Sequence, residues 1–368
     1  MIYAPLVGAA LVFAWGYARY NLSKDGLDRF DHIELPPVMA TPLSPAYRAR
    51  LASLLDVGPQ PDGLKQKLTN ARAIVDAWGE GDFGVEVVAV DAGGVSAEWV
   101  LAPCSDPAQR LLYIHGGGFY IGSAKSHRRI TSELAKRAGV SVLAVNYRLM
   151  PENRRADTIT DCQAAYHWVI DHGPDGMNNS KLLAIAGDSA GGSLALMLAA
   201  WARDQKLREA DAVIAMAPAT DAGLQSPSLR SNVATDPILG PVFSVVSRLP
   251  ETLLFYINWW LLRVRPTDTR ISPVRGDLSR LPPTLLQVST AEMLLDDSIR
   301  YFQKARSCGS PVVIEQWTER AHVFQAFGAD VPEADEALAC ASEFLRGLMQ
   351  TSPVLSANAG DPLLVQFG

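Results

Sequence analysis

From residue 85 onward, short apolar runs alternate with longer stretches of helical periodicity, and this alternation restricts the chain more than any single residue does. Residues 85–90, 98–101, 110–114, 140–146, 182–186, 212–217, 284–288 and 312–316 read as strands. Residues 126–138, 158–171, 192–204 and 336–349 read as helices. Strands that are apolar throughout, separated by helices, imply a mostly parallel sheet covered on both faces, an α/β architecture. A hydrophobic fraction of 48% supplies the core that such a sheet needs and argues against a disordered chain. The 368 residues are long for one domain, but α/β folds often reach this size as single units. The net charge of −6 gives no electrostatic reason to expect nucleic acid as a partner.

The alternation has two exceptions. Before it, residues 21–80 read as helical and loop-like, with apolar residues at helical spacing over 46–55 and 64–78. Within it, residues 221–277 form a long interruption that contains an aromatic run at 253–262. That stretch reads as an insertion above the sheet with helices of its own. Its aromatic run fits either a buried helix or part of a cap. The predicted organisation is therefore an apolar segment at 1–20, a helical segment at 21–80, a catalytic domain over 81–350 carrying the 221–277 insertion, and a tail at 351–368.

Residues 2–18 carry no charge, and Arg19 and Lys24 follow them. The run is short for a bilayer span of about 20 residues and contains Pro5, Gly8 and Gly16. Three readings stay open: a membrane anchor or membrane-associated helix, a helix packed on the protein, and a signal peptide. The location is correspondingly open between cytoplasmic and membrane-anchored. Cys104, Cys162, Cys308 and Cys340 are widely spaced and form no CxxC pair, so neither a zinc site nor a disulfide scaffold is expected.

Gly187-Asp188-Ser189-Ala190-Gly191 matches GxSxG, and its context carries more weight than the pattern. An apolar strand leads into it and a helix of small residues leads out. A sharp strand-to-helix turn of this kind exposes the Ser189 hydroxyl as a nucleophile. The flanking glycines avoid collisions, and the helix turns its positive end toward developing negative charge. His115-Gly116-Gly117-Gly118-Phe119 ends another strand. Consecutive glycines let backbone N–H groups approach a substrate closely. The amides of Gly117, Gly118 and Ala190 are the expected oxyanion donors, each worth roughly 3–4 kcal/mol in such sites. A phosphate loop would carry Lys-Ser/Thr where Phe119-Tyr120 stands. His115 is expected to shape the loop, not to act as a base.

In a hydrolase of this layout the chain order is serine, acid, histidine. Of His32, His115, His127, His167, His172 and His322, only His322 follows Ser189. Three carboxylates compete for the acid. Glu292 is favoured because it stands on the loop directly after the strand ending at 288. Asp296 and Asp297 look like the first turn of the next helix, where carboxylates suit the dipole.

These segments together resemble the bacterial hormone-sensitive-lipase-like family of α/β-hydrolases. Those that carry the resemblance are His115-Gly116-Gly117-Gly118-Phe119, Tyr147-Arg148-Leu149-Met150-Pro151-Glu152, Gly187-Asp188-Ser189-Ala190-Gly191-Gly192 and His322-Val323-Phe324. The resemblance implies the α/β-hydrolase fold, a mostly parallel central sheet flanked by helices, with a helical cap formed partly by the N-terminal segment. It also implies that Glu292 occupies the place where the family usually has Asp. Asn153-Arg154-Arg155-Ala156 departs from the family's His-Pro-Phe-Pro-like stretch.

The expected activity is a serine carboxylesterase with a Ser189–His322–Glu292 triad. The expected substrates are small-molecule esters of short to medium acyl chains, or lactones. That chemistry needs no metal and no organic cofactor. An amidase or other acyl-transfer enzyme would use the same residues, and a non-catalytic binding protein on this fold is a further alternative. The sequence leaves the oligomeric state open, a homodimer among the options.

Overall fold

Leu112 and Ile114 of β4 (Asp106–Ile114) pack into one apolar cluster, while Leu111 and Tyr113 pack into another on the opposite side. The same alternation sends Leu183 and Ile185 one way and Ala184 and Ala186 the other. Both sets are buried, so the centre of the sheet has helices on both faces. The computed structural model describes residues 3–350, apart from 32–34, 36–37, 40, 57 and 59–60. The 351–368 tail and His32 lie outside the described residues.

The chain begins with α1 (Tyr3–Ser23), β1 (Val38–Met39), α2 (Pro45–Leu55) and α3 (Leu64–Ala77). Two strands follow, β2 (Glu86–Asp91) and β3 (Ser96–Leu101), and then β4. The alternation continues with α4 (Arg128–Ala138), β5 (Val140–Val145) and α5 (Arg155–Asp171). A small hairpin of β6 (His172–Gly173) and β7 (Gly176–Met177) leads to β8 (Leu182–Asp188), α6 (Ala190–Asp204) and β9 (Ala212–Met216). The long interruption contains α7 (Ser228–Ser231), α8 (Leu239–Phe243) and α9 (Glu251–Leu262). The chain closes with β10 (Thr284–Ser289), α10 (Leu295–Ser307), β11 (Val312–Trp317) and α11 (Pro332–Gln350).

The nine strands of the main sheet lie in the order β1-β11-β10-β9-β8-β4-β5-β3-β2. Only β3 runs against its neighbours. The first face is covered by α5, α6 and α10, the second by α4 and α11. Helix α6 lies deepest. Its Ala- and Leu-rich sequence is apolar nearly all round, which suits a helix enclosed by protein. The edge strand β1 was not legible in the sequence. Its two residues pair with Gln316 and Trp317 of β11, too short a run to show a period.

Two buried ion pairs tie the N-terminal segment to this frame. Arg275 donates from Nε to Asp221 at 2.8 Å and from Nη1 to Asp25 at 2.8 Å and to the Leu22 carbonyl at 3.2 Å. Arg300 pairs with Asp31 through both Nε and Nη2. All four cysteines are free thiols. Replacing Arg275 with Met is expected to strand the fully buried Asp221 carboxylate, whose acidity is held up by this guanidinium against burial. Loss of one partner of such a pair costs about 3–5 kcal/mol. Urea denaturation of R275M should show that loss, and an unchanged midpoint would contradict the pairing.

Candidate active site

The turn between β8 and α6 is shaped by close backbone contacts. A Cβ added to Gly191 would lie 1.9 Å from the Ile114 carbonyl oxygen, and one on Gly187 would lie 2.5 Å from the Gly191 carbonyl carbon. Side chains are excluded at both places, which lets α6 leave β8 abruptly. Ser189 takes up the turn at φ 51° and ψ −116°, a conformation costing about 1–3 kcal/mol for a residue with a side chain. Its N–H donates to the Met216 carbonyl at 2.7 Å, and its carbonyl accepts from Ala219 at 3.2 Å. While its neighbours are buried, Ser189 stays partly exposed.

His322 stands opposite, on the loop after β11. Its Nε2 lies 2.8 Å from Ser189 Oγ, and its Nδ1 lies 2.5 Å from Glu292 Oε2. The other Glu292 oxygen accepts the Ser289 N–H at 2.6 Å, so the carboxylate is folded back on the end of its own strand. Burial opposes charge on the imidazole, but the Glu292 bond and charge outweigh it and raise the His322 pKa above its ordinary value. Complete burial likewise raises the Glu292 carboxyl, against the opposing pull of His322. The arrangement can take a proton from Ser189 and hold it on a ring whose second nitrogen faces a carboxylate.

The competing carboxylates are engaged elsewhere. Asp296 accepts from the Ser228 N–H at 2.7 Å. Asp297 accepts from the Thr220 N–H at 2.6 Å, the Asp221 N–H at 2.9 Å and the Ser226 hydroxyl. Both sit in the first turn of α10.

The glycine loop after β4 adjoins the same turn. Gly117 and Gly118 have φ of 107° and 62°, and a Cβ on Gly117 would lie 2.2 Å from the Ile121 carbonyl oxygen. Among the described residues, no protein acceptor takes the amides of Gly117, Gly118 or Ala190. His115 is buried and stacked on Tyr147 at 4.2 Å, with its Nδ1 2.7 Å from the Gly116 carbonyl. Burial pushes its pKa down to about 3, so it is neutral and serves the shape of the loop.

Several residues that the sequence did not single out hold these parts in place. Asp188 is buried and accepts from Tyr113 Oη at 2.7 Å and from the Gly116 N–H at 3.0 Å, with His127 Nε2 at 3.3 Å. It therefore fastens the glycine loop to the nucleophile turn. Asn232 Nδ2 donates to the carbonyls of Thr290 and Glu292, and Asp236 accepts from the Met293 N–H at 2.9 Å. The interruption thus clamps the turn that carries Glu292. The histidine loop is held from the N-terminal segment. The Ala321 N–H donates to Tyr47 Oη at 2.5 Å, and Arg320 Nη2 donates to the Thr41 carbonyl at 2.7 Å. Burial pushes the Tyr47 phenol up to about 12 and keeps it protonated. Among the described residues, no cluster of three or more His, Cys, Asp or Glu side chains is placed to hold a metal ion.

Comparison with known proteins bears on the fold and the family. Residues 111–326 match the family model described as alpha/beta hydrolase fold. The chain is 34% identical over 270 residues to an acetyl-hydrolase of Streptomyces hygroscopicus, covering 72% of this chain and 85% of that one. It is 30% identical over 348 residues to a carboxylesterase/phospholipase of Mycobacterium tuberculosis, covering 90% of each. Among solved structures, it is similar to an esterase from the bacterial hormone-sensitive lipase family. That match has a TM-score of 0.72 at 30% identity, over 84% of this chain and 100% of the other.

Tyr47→Phe removes the acceptor for the buried Ala321 amide. We expect a stability loss of about 1–3 kcal/mol, the usual cost of one stranded buried group. Faster amide hydrogen exchange at Ala321 and His322 should accompany it. Wild-type exchange at both positions would show that the phenol does not anchor the loop.

Proposed function

The chain belongs to the alpha/beta hydrolase fold family, among the bacterial hormone-sensitive-lipase-like esterases, and is a carboxylic ester hydrolase; from that premise we propose that Ser189, His322 and Glu292 form its catalytic triad. The observation that carries this reading is a single imidazole within hydrogen-bond reach of both Ser189 Oγ and Glu292. His322 Nε2 accepts the Ser189 proton as Oγ attacks the ester carbonyl. Glu292 keeps the ring oriented and balances the imidazolium. The amides of Gly117, Gly118 and Ala190 receive the oxyanion. Their freedom from protein acceptors supports that role, because a donor already engaged would have to break a bond first. His322 then returns the proton to the leaving alcohol, and water repeats the steps on the acyl-enzyme.

Esters of short to medium acyl chains, or lactones, are the proposed substrates. The likeness to an acetyl-hydrolase supports the short end of that range. Residues 21–80 and 221–277 are proposed to act as the cap that shapes the pocket. Their support is contact with the loops at the site: Arg72 of α3 donates to the Tyr120 and Met150 carbonyls, and Asn232 holds the Glu292 turn.

A fluorophosphonate probe is expected to label the wild-type chain and not Ser189→Ala. On a series of p-nitrophenyl esters, Glu292→Gln should lower kcat by at least about 100-fold, since removing the orienting carboxylate in such triads costs up to about 10⁴. Asp296→Asn should stay near wild type. Full activity in Glu292→Gln with loss in Asp296→Asn would move the acid to Asp296.

The pH dependence has a definite sign. Catalysis needs neutral His322, and the Glu292 carboxylate raises the pKa of that ring. Activity should therefore fall on acidification through an apparent pKa above the ordinary imidazole value. Glu292→Gln should shift that limb to lower pH. An acid limb at or below the ordinary value in the wild type would contradict the coupling.

A further inference from the structure

Helix α1 is apolar where a surface helix should be polar. Leu11, Val12 and Phe13 are each at least 66% exposed, and three consecutive positions span about 200° of a helix circumference. The helix therefore has little protein around it at that level. Farther along, it lies beside α9. Tyr256 Oη donates to the Ala14 carbonyl, Tyr17 stacks on Trp259 at 6.1 Å and meets Phe255 edge-on, and Lys24 shares a cleft with Arg263. These contacts advance in step along both helices, so the two run parallel. Ala18, Leu22, Leu254 and Phe255 face inward. Helical spacing then turns Phe13 and Tyr20 of α1 outward together with Leu253 and Trp260 of α9, and all four are exposed. Two helices thus present one apolar and aromatic face, with Tyr17 and Tyr256 in the seam.

At one end of this face the charge is positive. A cleft of about 420 Å³ is lined by Lys24, Arg263, Arg265 and Arg270, together with Asp268, which is taken by Arg270 at 2.8 Å. Among the described residues, Arg19, Lys24 and Arg263 are in no ion pair, while Arg265 lies near enough to Asp268 to help hold its carboxyl acidic. Arg263 and Arg265 lie over the rings of Trp260 and Trp259. A chain of net charge −6 is repelled by an anionic surface as a whole, so this local excess of cations is directional.

We propose that the outward face of α1 and α9 docks on the surface of a bilayer containing anionic lipid, with the basic cleft at the level of the headgroups. Tyrosine and tryptophan favour the boundary between headgroup and acyl chain, and the cations add attraction to the headgroups. Among the described residues, no helix is long and apolar enough to cross a membrane, so the contact is one-sided. A second copy of the chain fits the face less well. A twofold contact with the helices parallel would bring the same cations together, and an antiparallel one would set them against the apolar end of the partner's face.

The test is sedimentation of the full chain with vesicles of phosphatidylcholine, alone or with phosphatidylglycerol. Wild type should bind the mixed vesicles at least about tenfold more tightly, and salt should weaken that preference. Phe13→Asp with Tyr20→Asp, both outside the proposed cap, should abolish binding to both vesicles and leave kcat/KM on a water-soluble acetate ester unchanged. Lys24→Glu with Arg263→Glu should erase the preference for phosphatidylglycerol. Ser189→Ala should bind like wild type, which separates docking from the proposed chemistry. The proposal is overturned if wild type binds neither vesicle, or if the Phe13/Tyr20 variant binds as well as wild type. It is also overturned if that variant instead dissociates a dimer seen by sedimentation equilibrium.

Discussion

The contact on which the rest of the site depends is the approach of Gly191 to the Ile114 and His115 carbonyls. It brings the first turn of α6 against the end of β4 with no side chain between them. Two consequences follow from that distance. Ser189 is forced to positive φ and pushed clear of its buried neighbours. The glycine loop after β4 is brought beside it, so the proposed donor amides and nucleophile come from adjacent parallel strands. The Asp188 carboxylate joins these two parts through the Gly116 N–H and Tyr113 Oη, and it fills the space that a side chain on Gly116 would need. Burial and hydrogen bonding oppose each other here. Asp188 remains acidic because His127 and Tyr113 outweigh the cost of enclosing it.

Ser189 and the glycine loop are built from the sheet itself, whereas the other two candidate catalytic residues depend on support from outside it. The turn carrying Glu292 is clamped by Asn232 and Asp236 from the interruption. The loop carrying His322 is clamped by Tyr47 and Thr41 from the N-terminal segment. Turns held only by their own backbone open at low free energy. These two are held by side chains that are themselves anchored, Tyr47 by packing on Phe327 at 4.9 Å and Asp236 by further bonds from the Ile238 and Leu239 amides. The segments outside the sheet therefore help set the geometry of the candidate site.

The division explains what the sequence disclosed. Most strands and helices were legible because period and apolarity are local, and Ser189 stood out because its turn needs glycines at fixed offsets. His322 was nominated from chain order. The supporting residues left no such trace. Asp188 sits inside the recognised motif, yet its partners come from another strand and another helix start, over sixty residues away in sequence. Tyr47 reaches Ala321 across 274 residues. Nothing near Tyr47 in sequence marks it as different from an ordinary helical aromatic. Burial decides its role, and burial is a property of the assembled fold.

The glutamate at the acid position follows the same logic. An aspartate there would be shorter by one methylene and would have to start closer to the imidazole. Glu292 starts on a turn closed by the Ser289 hydroxyl, which accepts from the Ala291 N–H at 3.1 Å and donates to the Arg320 carbonyl at 2.5 Å. That hydroxyl joins the two loops before either candidate catalytic side chain is considered. Glu292 then spends one oxygen on the Ser289 amide and extends the other to His322. The extra length is used to bend back, so the carboxylate is fixed at one oxygen by the strand end and is free to meet the ring with the other. A longer acid is tolerated because the backbone beneath it is tied to the histidine loop it must reach.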